Sequence, residues 1–186
     1  YELKPLITES QIPLVLTNRP KREGGNFQGT EKERLRILAD CIDLGANYID
    51  IELDAISSIG ERGASQLIVS HHNFEAMPNL LTTRARMESS GADIAKIVGL
   101  ANSPSDSLSA LKLFPQAILP TISIAMGRHG LMSRILSLQY EKCLLSYATE
   151  DDDPGTAPGQ LPVSRMVNGF NAKNISSKTN SYRVIS

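Results

Sequence analysis

The stretch Gly91-Ala92-Asp93-Ile94-Ala95-Lys96-Ile97-Val98 decides the fold. After a glycine that ends the preceding helical pattern, it becomes a short apolar run of the kind found in parallel strands covered on both faces. Lys96 interrupts that run. Lysine is almost never fully buried unless it is paired or chemically employed, and burial disfavours the charged form, leaving more of the neutral amine that attacks carbonyl carbon. One reading of Lys96 is therefore a Schiff-base nucleophile. The other is a strand-end lysine whose stem lies on apolar surface while its ammonium reaches water.

Working outward, apolar and β-branched runs predict strands at residues 12–18, 48–53, 67–71, 93–98, 118–126 and 143–148. Helical periodicity falls between and after them, at 31–44, 79–89, 105–114, 131–138 and 161–169. Gly45-Ala46 and Gly91-Ala92 place a glycine at two helix C-termini in the same way. Repeated strand-helix units build either an open doubly wound sheet or a closed barrel. The six units alone leave both open.

In Tyr48-Ile49-Asp50-Ile51-Glu52-Leu53 the carboxylates share one face and the aliphatic residues the other, because side chains alternate along a strand. Such a strand suits a barrel with Asp50 and Glu52 in a polar lumen. It also suits an edge strand with both acids in solvent. Active groups of such folds gather at the C-terminal ends of the strands. Those ends carry Arg19, Lys21 and Glu23, then Asp50 and Glu52, His71 and His72, Lys96, Ser123 and Met126, and Tyr147.

Charge narrows the choice of partner. With 19 basic and 20 acidic residues and a net charge of −1, the chain has no electrostatic footprint for nucleic acid or an anionic membrane, so an anionic ligand would have to be met by local arginines. Cys41 and Cys143 stand alone in apolar segments without metal spacing and read as reduced core thiols of an intracellular protein. Residues 1–10 resemble the tail of an amphipathic helix, and Tyr182-Arg183-Val184-Ile185 opens a β-type run. Both ends read as interior points of something longer.

Five motifs now occur in a fixed order: Asn18-Arg19-Pro20-Lys21-Arg22-Glu23-Gly24-Gly25, Ser70-His71-His72-Asn73-Phe74, the Lys96 strand, Met126-Gly127-Arg128-His129-Gly130-Leu131-Met132-Ser133-Arg134, and Ala157-Pro158-Gly159-Gln160. Together they resemble the type I 3-dehydroquinate dehydratases, including the dehydratase half of the plant bifunctional dehydratase and shikimate dehydrogenases. The resemblance implies a TIM-type (β/α)8 barrel, α/β in class, with about six of its eight strands present here. It also implies a lyase of the shikimate pathway that dehydrates 3-dehydroquinate to 3-dehydroshikimate without metal or organic cofactor. NADP would enter only with a dehydrogenase domain. The partner implied is this small molecule, with no nucleic acid and no membrane, and a plastid location is compatible with the plant relatives.

By the same resemblance Lys96 is the imine-forming residue, His72 the general acid and base with an imidazole near neutral pKa, and Glu23 the acid that orients it. Arg134 and Arg19 are the arginines expected to bind substrate. Gln160, Thr156 and Ala157 belong to a loop that closes over it, Met126 and Tyr147 are apolar walls, and Asp50 supports from inside the barrel. His71 falls at a variable position and is assigned structure alone. The acids Glu150-Asp151-Asp152-Asp153 depart from the family's small, apolar lid and would repel an anionic substrate if they faced inward. Residues 1–172 are expected to form the barrel domain, lacking its first two strands, and 173–186 a linker and the start of another. A truncated barrel would be inactive or prone to associate. Besides an enzyme, a non-catalytic relative that binds ligand or regulates fits the same sequence.

Overall fold

A computed structural model of the chain describes residues 2–179; the run at 182–185 lies outside them. After a short helix α1 (Leu3–Thr8) come β1 (Val15–Thr17), α2 (Glu31–Asp43), β2 (Tyr48–Glu52), β3 (Gln66–Asn73), α3 (Leu80–Glu88), β4 (Ile94–Leu100), α4 (Pro104–Lys112), β5 (Thr121–Met126) and α5 (Leu131–Leu136). The five strands form one parallel sheet in sequence order, β1 through β5. In-order parallel pairing is the arrangement of barrel staves rather than of a doubly wound sheet, whose order reverses partway.

The expected sixth strand does not form. Cys143 makes a single parallel bridge to Thr121, and Thr149 bridges to Pro162 instead of continuing along β5. Residues 143–148 are thus held at their start by Leu144 N–H to the Thr121 carbonyl, 3.0 Å. The expected helix at 161–169 is likewise reduced to a π-helical turn, Arg165–Gly169. Among the described residues the outer edge of β1 pairs with no strand.

Alternation along the strands sorts the interior into two cores. Ile49, Ile51, Leu67, Val69, Ala95 and Ile97 face outward, against Leu38, Cys41 and Ile42 of α2 and Met87 of α3. Ile68, Ile94, Val98, Ile122, Ile124 and Met126 face inward and form the apolar floor of the lumen, with Tyr147 against them. Ile97 is fully buried; such a side chain contributes roughly 1.5–3 kcal/mol. Lys96 belongs by parity to the inner set, between Ile94 and Val98.

Local chemistry fixes the helices around this sheet. Thr30 and Glu33 form a reciprocal capping box at the start of α2, worth about 1 kcal/mol. Gly45 ends α2 at φ 86°, with Ala46 N–H bonded back to Cys41 and Gly45 N–H to Ile42, a Schellman closure that a side-chain-bearing residue would strain. Gly91 repeats the left-handed turn at φ 85° before β4.

Candidate active site

At the C-terminal ends of the strands lies a cavity of about 550 Å³. Its wall carries Thr17 and Arg19 from β1 and its loop, Asp50 from β2, His72 from β3, Lys96 and Val98 from β4, and Ile124 from β5, while Glu23 and Phe74 come from the adjoining loops. Arg134 and Tyr147, with Gly155, Thr156, Ala157 and Gln160, complete it. The parallel register explains the clustering. Ser70 stands beside both Glu52 on β2 and Lys96 on β4, so inward-facing residues of successive strands meet at one level.

Lys96 is 8% exposed, but it is not the isolated amine that an apolar strand suggests. Its Nζ donates to Asp50 Oδ2 at 2.7 Å and lies 4.8 Å from the centroid of the Tyr147 ring. Asp50 is almost wholly buried. Burial alone would raise its pKa, but Lys96 and Arg19 outweigh this and hold the carboxyl well below the usual range. Arg19 reaches Asp50 at 2.5 Å and also pairs with Glu52 and donates to Ser70 Oγ. Glu52 is closed from behind by Arg34 at 2.7 Å. The acids of β2 are therefore in the lumen, not in solvent.

Arg34 and Glu52 are contributors that no motif assigned. The signal for Arg34 was periodicity: it lies on the same face of α2 as the buried Leu38, Cys41 and Ile42, where a cation needs a buried partner. Its guanidinium spans Asn18 O (2.7 Å), Glu31 and Glu52. Three cations (Arg19, Arg34 and Lys96) thus interleave with Glu23, Asp50 and Glu52.

His72 Nδ1 is 2.9 Å from Glu23 Oε2, and its backbone N–H donates to the same oxygen at 3.1 Å. Desolvation opposes the charge on Glu23, but hydrogen bonds from His71 and His72 and the nearby charge of Arg19 bring its pKa to about 2. Because the carboxylate is anionic, Nδ1 carries the proton and Nε2 keeps its lone pair. Burial pushes His72 down to about 4, with Lys96 and Arg19 assisting against the hydrogen bond to Glu23. This departs from the near-neutral imidazole expected from sequence. Glu23 is aimed by a 3-10 turn, Lys21–Glu23, closed by Gly24 at φ 83°; a Cβ on Gly24 would lie 2.3 Å from the Phe74 ring.

Arg134, 1% exposed, differs from the other buried cations. The one hydrogen bond of its guanidinium among the described residues is from Nη2 to Pro158 O at 3.2 Å, and Nε is left unpartnered. With no carboxylate beside it, burial lowers its pKa to about 10. The cavity therefore holds an uncompensated guanidinium, the element needed for a carboxylate ligand. The acidic run turns outward: Glu150 to Asp153 are exposed, and Asp151 and Asp153 accept the backbone N–H groups of Ser164 and Gly155. Gln160 Oε1 braces the loop by accepting from Thr156 N–H (2.7 Å) and Ala157 N–H (3.1 Å).

The two rim residues expected on β5 are elsewhere. Met126 is fully buried and does not line the cavity. It has the inward parity, but the loop closes over the end of β5 through Gly127 N–H to Pro158 O, 3.0 Å, and Ile124 is the β5 residue that remains open. Ser123 has the opposite parity and donates to Ala110 O of α4 at 2.9 Å.

A parallel sheet of barrel staves with a buried lysine on β4, a carboxylate-bound histidine on β3 and an arginine without an ionic partner, all around one cavity at the strands' C-terminal ends, places the chain in the α/β-barrel class. The profile of type I 3-dehydroquinase matches residues 2–177, and the chain belongs to that family. It is 36% identical over 193 residues to a bifunctional 3-dehydroquinate dehydratase/shikimate dehydrogenase, chloroplastic, of Arabidopsis thaliana, a match that covers 99% of this chain and 32% of that protein. A 3-dehydroquinate dehydratase of Desulfotalea psychrophila is 34% identical, with 89% of this chain and 78% of that one covered. The solved 3-dehydroquinate dehydratase of Geobacillus kaustophilus superposes with a TM-score of 0.77 at 27% identity, over 86% of this chain and 67% of that one. The chain thus spans about a third of the plant relative's length and 67–78% of the two bacterial ones.

Proposed function

We propose that the cavity dehydrates 3-dehydroquinate to 3-dehydroshikimate through an imine on Lys96. The observation that carries this reading is the meeting of Lys96, the His72–Glu23 pair and the unpaired Arg134 around one cavity. Arg134 takes the substrate carboxylate in place of the bond it lacks. The Lys96 ammonium, paired with Asp50, releases one proton as its nitrogen adds to the ketone carbon; that proton and a second from the nitrogen leave with the ketone oxygen as water, and the protonated imine remains. That cation stays matched to Asp50 and to the Tyr147 ring face. His72 Nε2 removes a proton from the adjacent carbon, and the electron pair flows into the imine. The electrons then return to expel the neighbouring hydroxyl, which takes the proton from His72 and leaves as water. A second water hydrolyses the imine, frees the product and restores the amine.

No organic cofactor or metal has a role in this sequence of steps, since the imine is the electron sink. NADP belongs to the reading only if a dehydrogenase domain accompanies this one, as in the name of the plant relative. The residues that line the cavity fall between Val15 and Gln160, within the barrel domain assigned to residues 1–172 on this reading. Among the described residues no helix is long and apolar enough to cross a membrane. A purely regulatory ligand site would not need a lysine, a base and its orienting acid together. Borohydride reduction in the presence of 3-dehydroquinate should add a covalent mass to the Lys96 peptide and none in Lys96→Ala. Labelling that persists in that variant would overturn the assignment.

A further inference from the structure

Glu23 serves two histidines, and the second has no place in the chemistry above. His71 and His72 are adjacent on β3, so alternation sends them to opposite faces. His72 follows Ile68 and Ser70 into the lumen, whereas His71 follows the outward series Leu67 and Val69 and is 36% exposed. Yet Nδ1 of His71 stands 3.5 Å from Glu23 Oε1, while Nδ1 of His72 stands 2.9 Å from Oε2. Among the described residues Glu23 is the one ionic partner of His71. The carboxylate has one oxygen toward the cavity's base and the other toward a ring in contact with solvent.

Resting on the dehydratase reading, we propose that His71 is a positioning residue that sets the proton affinity of His72 through the shared carboxylate of Glu23. When His71 is neutral, it adds no positive charge at Glu23, and the carboxylate favours protonation of His72. When His71 takes up a proton, its N–H draws on Oε1, and its charge opposes a second proton on the same triad. His72 then stays neutral, with Nε2 free to accept a proton, to lower pH. The other charges facing His72 do not change this sign. Lys96 and Arg19 already oppose its protonation, Asp50 favours it, and Arg19 also lies 3.8 Å from Glu23 Oε2. The consequence is a base that remains competent on the acid side whenever its solvent-facing neighbour carries charge.

The chain has only three histidines, so each imidazole can be followed by 15N-resolved NMR titration of the protein without substrate. His71→Gln can still donate to Glu23 but carries no charge, whereas His71→Lys carries one throughout. The His72 proton affinity should be about three- to tenfold higher in His71→Gln than in His71→Lys, the scale of one charge a few ångströms away at an effective dielectric between protein and water. In the unsubstituted protein the His72 resonances should move in two coupled steps, which serves if either variant folds poorly. Equal His72 midpoints in the two variants, or a single uncoupled step in the parent, would overturn the proposal. Because the readout needs neither turnover nor substrate, failure of the dehydratase reading would appear separately, as absence of imine trapping on Lys96.

Discussion

Acidification should destabilise this protein through His72 at pH values above those at which the Glu23 and Asp50 carboxylates are protonated. An unfolded chain protonates this imidazole near 6.5, while the folded protein holds it neutral down to about 4. Between those values the unfolded state binds more protons, so stability rises with pH and is lost as pH falls. At about 1.4 kcal/mol per pH unit, the gap amounts to about 3 kcal/mol, a substantial part of the 5–15 kcal/mol typical of a whole domain. Glu23 acts in a lower window. Its contribution is present above pH 4.5 and fades only as pH falls toward about 2. Urea unfolding at intervals from pH 7 to 4.5 should therefore show a steady loss in the parent and a much flatter profile in His72→Gln. His129 is common to both proteins and cancels in the comparison. Parallel profiles would show that the buried imidazole is not what couples stability to pH.

Three further outcomes follow from the site. His72→Ala should lower turnover by roughly a hundredfold or more, the contribution of a general acid and base, while imine trapping on Lys96 persists; rapid-quench assays with borohydride separate the two. Arg134→Gln should raise KM by about ten- to a hundredfold with a smaller change in kcat, since it removes charge-assisted bonds to the substrate carboxylate, measured by the absorbance of the conjugated product. Arg34→Met should cost about 3 kcal/mol or more in urea unfolding by leaving Glu52 with one cation fewer. Pairing it with Glu52→Gln should recover part of that loss, and an additive double variant would refute the coupling.

The parts that depend on one segment at a time were legible in the sequence. Periodicity located the five strands that form and the helices between them, because burial on one or both faces dictates which positions are apolar. Motif order singled out Lys96, His72, Glu23 and Arg134, and all four line one cavity. What the sequence could not determine was whatever depends on a neighbour distant in the chain. The run at 143–148 has strand composition, but its pairing stops at one bridge, since a strand exists only where a partner continues beside it. Met126 has the parity of a wall residue and becomes floor because the loop at Pro158 seats on Gly127. The partner of Lys96 is Asp50, 46 residues away in sequence, and the two histidines of β3 share a carboxylate from another turn of chain. Residue types and their spacing determined which groups would line the barrel; the through-space pairing of their charges was decided only when the strands came into register, because electrostatic interaction depends on distance in space and not along the chain.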